Sequence, residues 1–200
     1  PSATDPSGDG IDQDCDGADG LYCSGTRTIA SGAGCGLIAG ALVAEYTDDL
    51  VSFVGLETLH TVRGNIVIRG NTSLTSLDGL ENLKKVETGV IEIAYNDALL
   101  NVDGLSGLEE VRGSVLIRYN NALVSLEGLA GLEEVGGSLE FHDNGSLTTL
   151  FNPAGLRFVD GRFAFFNNDS LCTSLITDFS DSIEEGTVDE GIDVSGNADC

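Results

Sequence analysis

The sequence predicts an all-β fold, a leucine-rich solenoid of about seven coils on a repeat of about 24 residues. Three observations carry that expectation. A glycine recurs at Gly40, Gly64, Gly89, Gly113, Gly137 and Gly161. Two and four residues after each stands an apolar pair: Leu42/Ala44, Ile66/Ile68, Ile91/Ile93, Val115/Ile117, Leu139/Phe141 and Phe163/Phe165. Seven after it comes a polar turn residue (Thr47, Asn71, Asn96, Asn120, Asn144, Asn168), and ten after it a leucine (Leu50, Leu74, Leu99, Leu123, Leu147, Leu171). Units this regular stack, and each contacts only its neighbours.

The elements follow in chain order. Residues 1–22 form an acidic leader of Gly, Asp and Pro with almost no apolar residue, so they need a ligand or a neighbour to order them. Residues 23–39, rich in Gly, Ala and Ser, read as an N-terminal cap, and the repeats run from about 40 to 175. In the unit 64–87, Ile66 and Ile68 alternate with Val67 and Arg69, which is strand periodicity. Gly70-Asn71 is turn chemistry, since both residues tolerate positive φ. Leu74 and Leu77 make a second inward run, Asp78-Gly79 turns again, and Leu80, Leu83 and Val86 at spacings of three suit a helical turn or an irregular third side. A degenerate seventh coil follows: Glu190–Val194 matches the strand, Asn197 the Asn position, and Cys200 the Leu74 position. The insertion 176–189, with Phe179 and Ile183 at helical spacing, is expected to fold over the open end, so that 176–200 form a C-terminal cap.

Net charge is −24. Residues 1–22 hold six Asp and no base, residues 176–200 hold eight acids and no base, and all nine bases lie between. Nucleic-acid binding needs a basic footprint, and so does an anionic membrane surface. Both are excluded as partners, and no segment is apolar enough to insert into a bilayer. With no initiator Met and no signal peptide, the sequence is read as a mature chain, extracellular or on a cell surface. Five Cys in an acidic, loop-rich chain point to the same oxidising setting.

The leader carries the metal chemistry. Asp5, Ser7, Asp9 and Asp12 follow D-x-S-x-D-G-x-D, and Asp12, Asp14, Asp16 and Asp19 repeat the pattern seven residues on. Oxygen ligands at positions 1, 3 and 5, with glycine at 6, wrap a hard cation such as calcium. The twelfth position of the second frame is Cys23 rather than Glu, so a linear calcium repeat holding one or two ions fits better than an EF-hand. The segment "GDGIDQDCDGADG", residues 8–20, resembles acidic metal-binding motifs of secreted bacterial proteins and thrombospondin type 3 calcium repeats.

Ladder neighbours in adjacent coils lie roughly 5 Å apart, within disulfide reach. Cys172 and Cys200 are therefore expected to pair and pin the C-terminal cap. Among Cys15, Cys23 and Cys35 one is left over; Cys23–Cys35 is the first expectation and Cys15–Cys23 stands close behind. Asn71, Asn144 and Asn168 each sit in an N-x-S/T sequon, but a stacked Asn ladder at the turn is the better reading. Tyr46, Tyr95 and Tyr119 share one ladder position, with Arg69 and Arg118 in the neighbouring one. Tyr and Arg carry binding energy at interfaces, although Tyr at a sheet rim and Arg paired to Glu would look the same. Glu92 and Glu140 share an outward position two coils apart, but no Ser/His/Asp set, phosphate loop or zinc signature accompanies them, so the chain is not expected to be an enzyme.

The unit "GSVLIRYNNALVSLEGLAGLEEV", residues 113–135, resembles the receptor L domain, a leucine-rich right-handed β-helix of growth-factor receptor ectodomains. The tail "SLCTSL…GNADC" also suits such domains, and the resemblance covers residues 40–200. It implies a solenoid over residues 23–200 that binds a protein ligand across one sheet face. Two functions follow as expectations. One is a calcium-binding structural or adhesive component that associates with itself or with other surface proteins. The other is a module that recognises a protein or a glycan through the Tyr/Arg stripe.

Overall fold

The computed structural model describes residues 21–182 and 191–200. In chain order the strands and helices are β1 (Leu21–Cys23), α1 (Ile29–Gly32), β2 (Cys35–Ile38), β3 (Leu42–Glu45), β4 (Thr61–Val62), β5 (Ile66–Arg69), β6 (Lys85–Val86) and β7 (Ile91–Ala94). They continue as β8 (Glu110–Val111), β9 (Val115–Arg118), β10 (Glu134–Val135), β11 (Leu139–His142), β12 (Phe158–Val159), β13 (Phe163–Phe166), α2 (Thr173–Asp181) and β14 (Ile192–Ser195). Strands β3, β5, β7, β9, β11, β13 and β14 make one parallel sheet, the long sheet, and β1, β2, β4, β6, β8, β10 and β12 make a second, the short sheet. Register in the long sheet follows the repeat: Leu42 pairs with Ile66, Ile66 with Ile91, Ile91 with Val115, Val115 with Leu139, and Leu139 with Phe163.

Five turns are complete, each running from a four-residue strand of the long sheet to a two-residue strand of the short sheet. The expected count of about seven is corrected for a physical reason. After β13 the chain enters α2 instead of closing a turn, and β14 adds a strand without a turn of its own. Short 3-10 helices at Asp103–Leu105, Glu127–Leu129 and Pro153–Gly155 supply the third side.

The inward side chains form one continuous core. In a single turn Ile66, Ile68, Leu74, Leu77, Leu80, Leu83 and Val86 are all fully buried. No turn could bury that set alone; its neighbours above and below do so. Leu50, at the first rung, is only partly buried. The repeat glycines allow the close stacking: a Cβ on Gly64 would stand 2.8 Å from the Gly40 carbonyl.

Asn71, Asn96, Asn120, Asn144 and Asn168 are fully buried and form a hydrogen-bonded ladder. The Asn120 Oδ1 accepts from the Asn96 backbone N–H at 3.1 Å, and the Asn120 Nδ2 donates to the Ile93 carbonyl at 3.0 Å. The Asn120 N–H in turn donates to Asn144 Oδ1 at 3.1 Å. The same pattern runs from Thr47, which donates to Asn71, to Asn197, which accepts from Asn168. Every sequon Asn thus has its Nδ2 engaged inside the stack: Asn71 with the Ala44 carbonyl, Asn144 with Ile117 and Asn168 with Phe141. The geometry leaves no amide for glycosylation.

Both ends are stapled. Cys23 and Cys35 are bonded across β1 and β2, with Cα atoms 5.8 Å apart. Cys172 and Cys200 are bonded with Cα atoms 5.5 Å apart, tying the start of α2 to the last described residue. Helix α2 begins at Thr173, ahead of the expected 176, and buries Ile176 and Phe179. Phe179 packs edge-on against Phe151, Phe163 and Phe165 at centroid distances of 5.2, 5.3 and 5.8 Å. The helix therefore covers an aromatic end of the core. Ile183 and Glu190 lie outside the described residues.

Replacing Asn120 with Ala strands the Asn96 backbone N–H inside the stack and removes the side-chain donor from the Ile93 carbonyl. An unpaired buried polar group costs about 1–3 kcal/mol, so Asn120→Ala is expected to lower the unfolding free energy by at least about 2 kcal/mol in urea denaturation. A loss under about 0.5 kcal/mol would contradict the ladder's energetic role.

A candidate ligand-binding face on the long sheet

The outward residues of the long sheet stand in columns set by register. Glu45, Arg69, Ala94, Arg118, His142 and Phe166 form one column. Glu92, Leu116 and Glu140 lie in the column beside it. Beyond the strand ends runs a ridge: Tyr46, Gly70, Tyr95, Tyr119, Asp143, Asn167 and Gly196, each with φ between 52° and 67°.

That left-handed turn has a mechanical origin. Strand alternation would point the ridge residue inward and the following Asn outward. One left-handed residue breaks the period, so the Asn swings into the core and the ridge residue stays outside. Only the first member of each Gly-Asn or Tyr-Asn pair takes positive φ; Asn71, expected to share it, does not. The conformation costs a non-glycine residue about 1–2 kcal/mol. Gly escapes that cost, and Asn and Asp are common there.

Three tyrosines nonetheless occupy the ridge, exposed by 69% at Tyr46, 50% at Tyr95 and 38% at Tyr119. Tyr95 and Tyr119 stack with centroids 4.7 Å apart and planes 7° from parallel. Tyr46 leans over Gly70, where an added Cβ would lie 2.6 Å from its Cδ1. The Arg69 guanidinium sits 5.6 Å from the Tyr46 ring centre, within cation–π range, and its Nη2 donates to Glu45 Oε1 at 2.7 Å. Arg118 donates to Glu92 Oε1 at 2.6 Å, and this bond raises the Arg118 pKa further above its ordinary value. The Asp143 charge is the main cause of a raised Tyr119 phenol pKa.

The structure thus divides the stripe that the sequence grouped as one. Tyr46 and Arg69 form one unit with Glu45, Tyr95 and Tyr119 form a stacked pair, and Arg118, near both of their phenol groups, is bonded to Glu92. Glu92 and Glu140 do not meet as a carboxylate pair. Glu140 is held by Arg162 at 3.1 Å and by His142 at 2.9 Å, and Phe166 closes that cluster edge-on to His142 at 5.3 Å. The repeat puts His142 and Phe166 in one column with Arg118, but their union through Glu140 has no signal in the sequence. Sequence reasoning missed the left-handed ridge, although the signal was present: Gly70, Asp143 and Asn167 are the residue types that favour that conformation, and they share the tyrosines' position.

The calcium candidates Asp5, Ser7, Asp9, Asp12, Asp14, Asp16 and Asp19 lie outside the described residues, as does Cys15. Among the described residues no group of three or more His, Cys, Asp or Glu is placed to hold a metal ion, and no helix is long and apolar enough to cross a membrane.

The regular turns carrying Tyr95, Tyr119 and part of the Asn ladder fall in a stretch similar to a known family. Residues 86–183 match the family model of the Receptor L domain. The matched stretch takes in both stacked tyrosines, Arg118, and the ladder from Asn96 to Asn168. No curated protein matches the chain, and no solved structure does. The match together with the two disulfides suggests an extracellular domain, and it is consistent with a ligand-binding module.

The ridge conformation has a measurable consequence. Tyr95→Gly and Tyr95→Ala both lose the stack, but only alanine keeps the left-handed penalty. The Gly variant is expected to be the more stable by about 1 kcal/mol in chemical denaturation, the reverse of the usual order. An Ala variant at least as stable as the Gly variant would refute the ridge geometry.

Proposed function

We propose that this protein is an extracellular, non-catalytic binding module that captures a protein ligand on the outer face of the long sheet, with the tyrosine ridge at its centre. The observation that carries this reading is the placement of three exposed tyrosines at positions where Gly, Asn or Asp would fold more easily. Strained backbone at exposed aromatic residues points to a selected surface role, and Tyr and Arg are enriched among interface anchors. The match to the Receptor L domain adds support, since such domains bind protein ligands. A non-catalytic role fits the outward acids, for Glu92 and Glu140 are each engaged in their own ion pairs.

Self-association is the second reading. One observation favours it: β14 is the edge of the long sheet, its residues Asp193 to Ser195 are exposed, and among the described residues no strand pairs with its outer side. We further propose that the leader binds one or two calcium ions through Asp5, Ser7, Asp9, Asp12, Asp14, Asp16 and Asp19. Its support is the repeated spacing of oxygen ligands with glycine at matching places.

Two experiments test these readings. Immobilised protein exposed to an extract of extracellular proteins should retain a partner that the Tyr95→Ala/Tyr119→Ala double variant, folded by circular dichroism, no longer retains. Equal retention by both would remove the tyrosine face as the site, and retention of further copies of the chain itself would establish self-association. Calcium titration after chelation should show uptake that Asp12→Ala and Asp16→Ala abolish; no uptake by the intact protein would sink the calcium assignment.

A further inference from the structure

Most of the positive surface charge is already matched inside the molecule. Eight of the nine Lys and Arg residues stand in ion pairs with Glu. The ridge and the turn beyond it carry part of the unmatched acidic excess. Asp48, Asp49, Asp97, Asp143 and Asp169 lie along that strip beside the three tyrosines, and the arginines next to it, Arg69 and Arg118, are already paired with Glu45 and Glu92. An aromatic and acidic strip whose neighbouring bases are already paired is complementary to a further cation.

The molecule itself shows how the strip handles one. At its first rung a tyrosine ring and a carboxylate, Tyr46 and Glu45, jointly hold the guanidinium of Arg69. The same two kinds of group recur at Tyr119 and Asp143. There Arg118 lies near the phenol groups, but its guanidinium is bonded to Glu92. The aromatic stack ends at Tyr119, since the next rung carries Asp143 in place of a ring. The far face of Tyr119 is therefore left uncovered by another ring. Asp143 Oδ1 accepts from Asn167 Nδ2 at 3.1 Å, and the Asp143 carboxylate also lies against the Tyr119 hydroxyl. A guanidinium laid on the far face of Tyr119 would reach that carboxylate.

We propose that Tyr119 and Asp143, backed by Tyr95, form a docking site for an arginine side chain presented by a basic segment of the protein ligand. This deepens the binding-module reading and rests on it. The guanidinium stacks on the ring and pairs with Asp143, while Asp97 and Asp169 draw in the flanking positive charge. Anionic partners are repelled by the same strip.

The test uses the intact protein and an acetylated, amidated tetra-arginine peptide as probe, titrated by calorimetry at physiological salt to screen general attraction. Saturable binding is expected. Tyr119→Ala and Asp143→Asn should each weaken it about tenfold, which corresponds to about 1.4 kcal/mol. Asp143→Asn is the safer variant, because Asn adopts the left-handed conformation readily. Asp160→Asn, which removes one exposed charge far from the ridge, should leave binding unchanged. Equal weakening by Asp160→Asn and Asp143→Asn, absence of saturable binding, or preference for a neutral oligosaccharide over the peptide would each overturn the proposal. Were the double tyrosine variant still to lose its protein partner while the peptide fails to bind, the cationic segment would be wrong and the tyrosine face would stand.

Discussion

The structure depends on a ladder of buried asparagine amides. A solenoid turn must send its chain sharply from the long sheet into the next side, and the backbone groups at that corner cannot reach water. Each Asn satisfies them in both directions: its Oδ1 takes the N–H of the preceding Asn, and its Nδ2 takes a carbonyl from the preceding coil's strand. In a low-dielectric interior such bonds are strong, and an unpaired group is correspondingly costly. Because each amide serves two neighbouring coils, no rung is satisfied without the next. The ladder therefore locks the strands in register, and it sets the leucine ladder three residues on, where Leu74, Leu99, Leu123, Leu147 and Leu171 are all buried.

The same constraint shapes the exterior. An inward Asn demands a left-handed residue before it, so the core imposes a strained ridge on the surface at every coil. Gly70 and Gly196 relieve the strain; Tyr46, Tyr95 and Tyr119 do not. What the tyrosines supply is rigid amphipathic contact area held in line by the stack beneath. The ion pairs Arg69–Glu45 and Arg118–Glu92 fix the neighbouring column and leave the ridge as the uncompensated part of the face. A fold requirement and a recognition surface thus share one turn.

Much of this was legible in the residues. Period alone located the strands, the buried leucines, the Asn ladder through Asn197, and the neighbouring positions of Cys172 and Cys200. Those features repeat, and stacking turns repetition into proximity. The two-residue strands such as Lys85–Val86 escaped notice because two residues carry no alternation to read. The excess in the coil count arose because a strand can pair at the end of a sheet without a complete turn behind it, as Ile192–Ser195 does. The ridge was harder still. Tyr is not a residue type that announces positive φ, and its conformation follows from where the next side chain must point. The lean of Tyr46 over Gly70, and the meeting of His142, Glu140 and Arg162, depend on side-chain directions that a linear pattern does not encode.

The ladder claim is met most directly by amide hydrogen exchange of the Asn side chains, followed by nuclear magnetic resonance. The account predicts that the Nδ2 protons of Asn96, Asn120 and Asn144 exchange as slowly as the backbone amides of Ile93 and Ile117 in the core strands, since all are released only when the stack opens. Exchange of those side-chain protons at the rate of exposed asparagines, with the strand amides still protected, would contradict it.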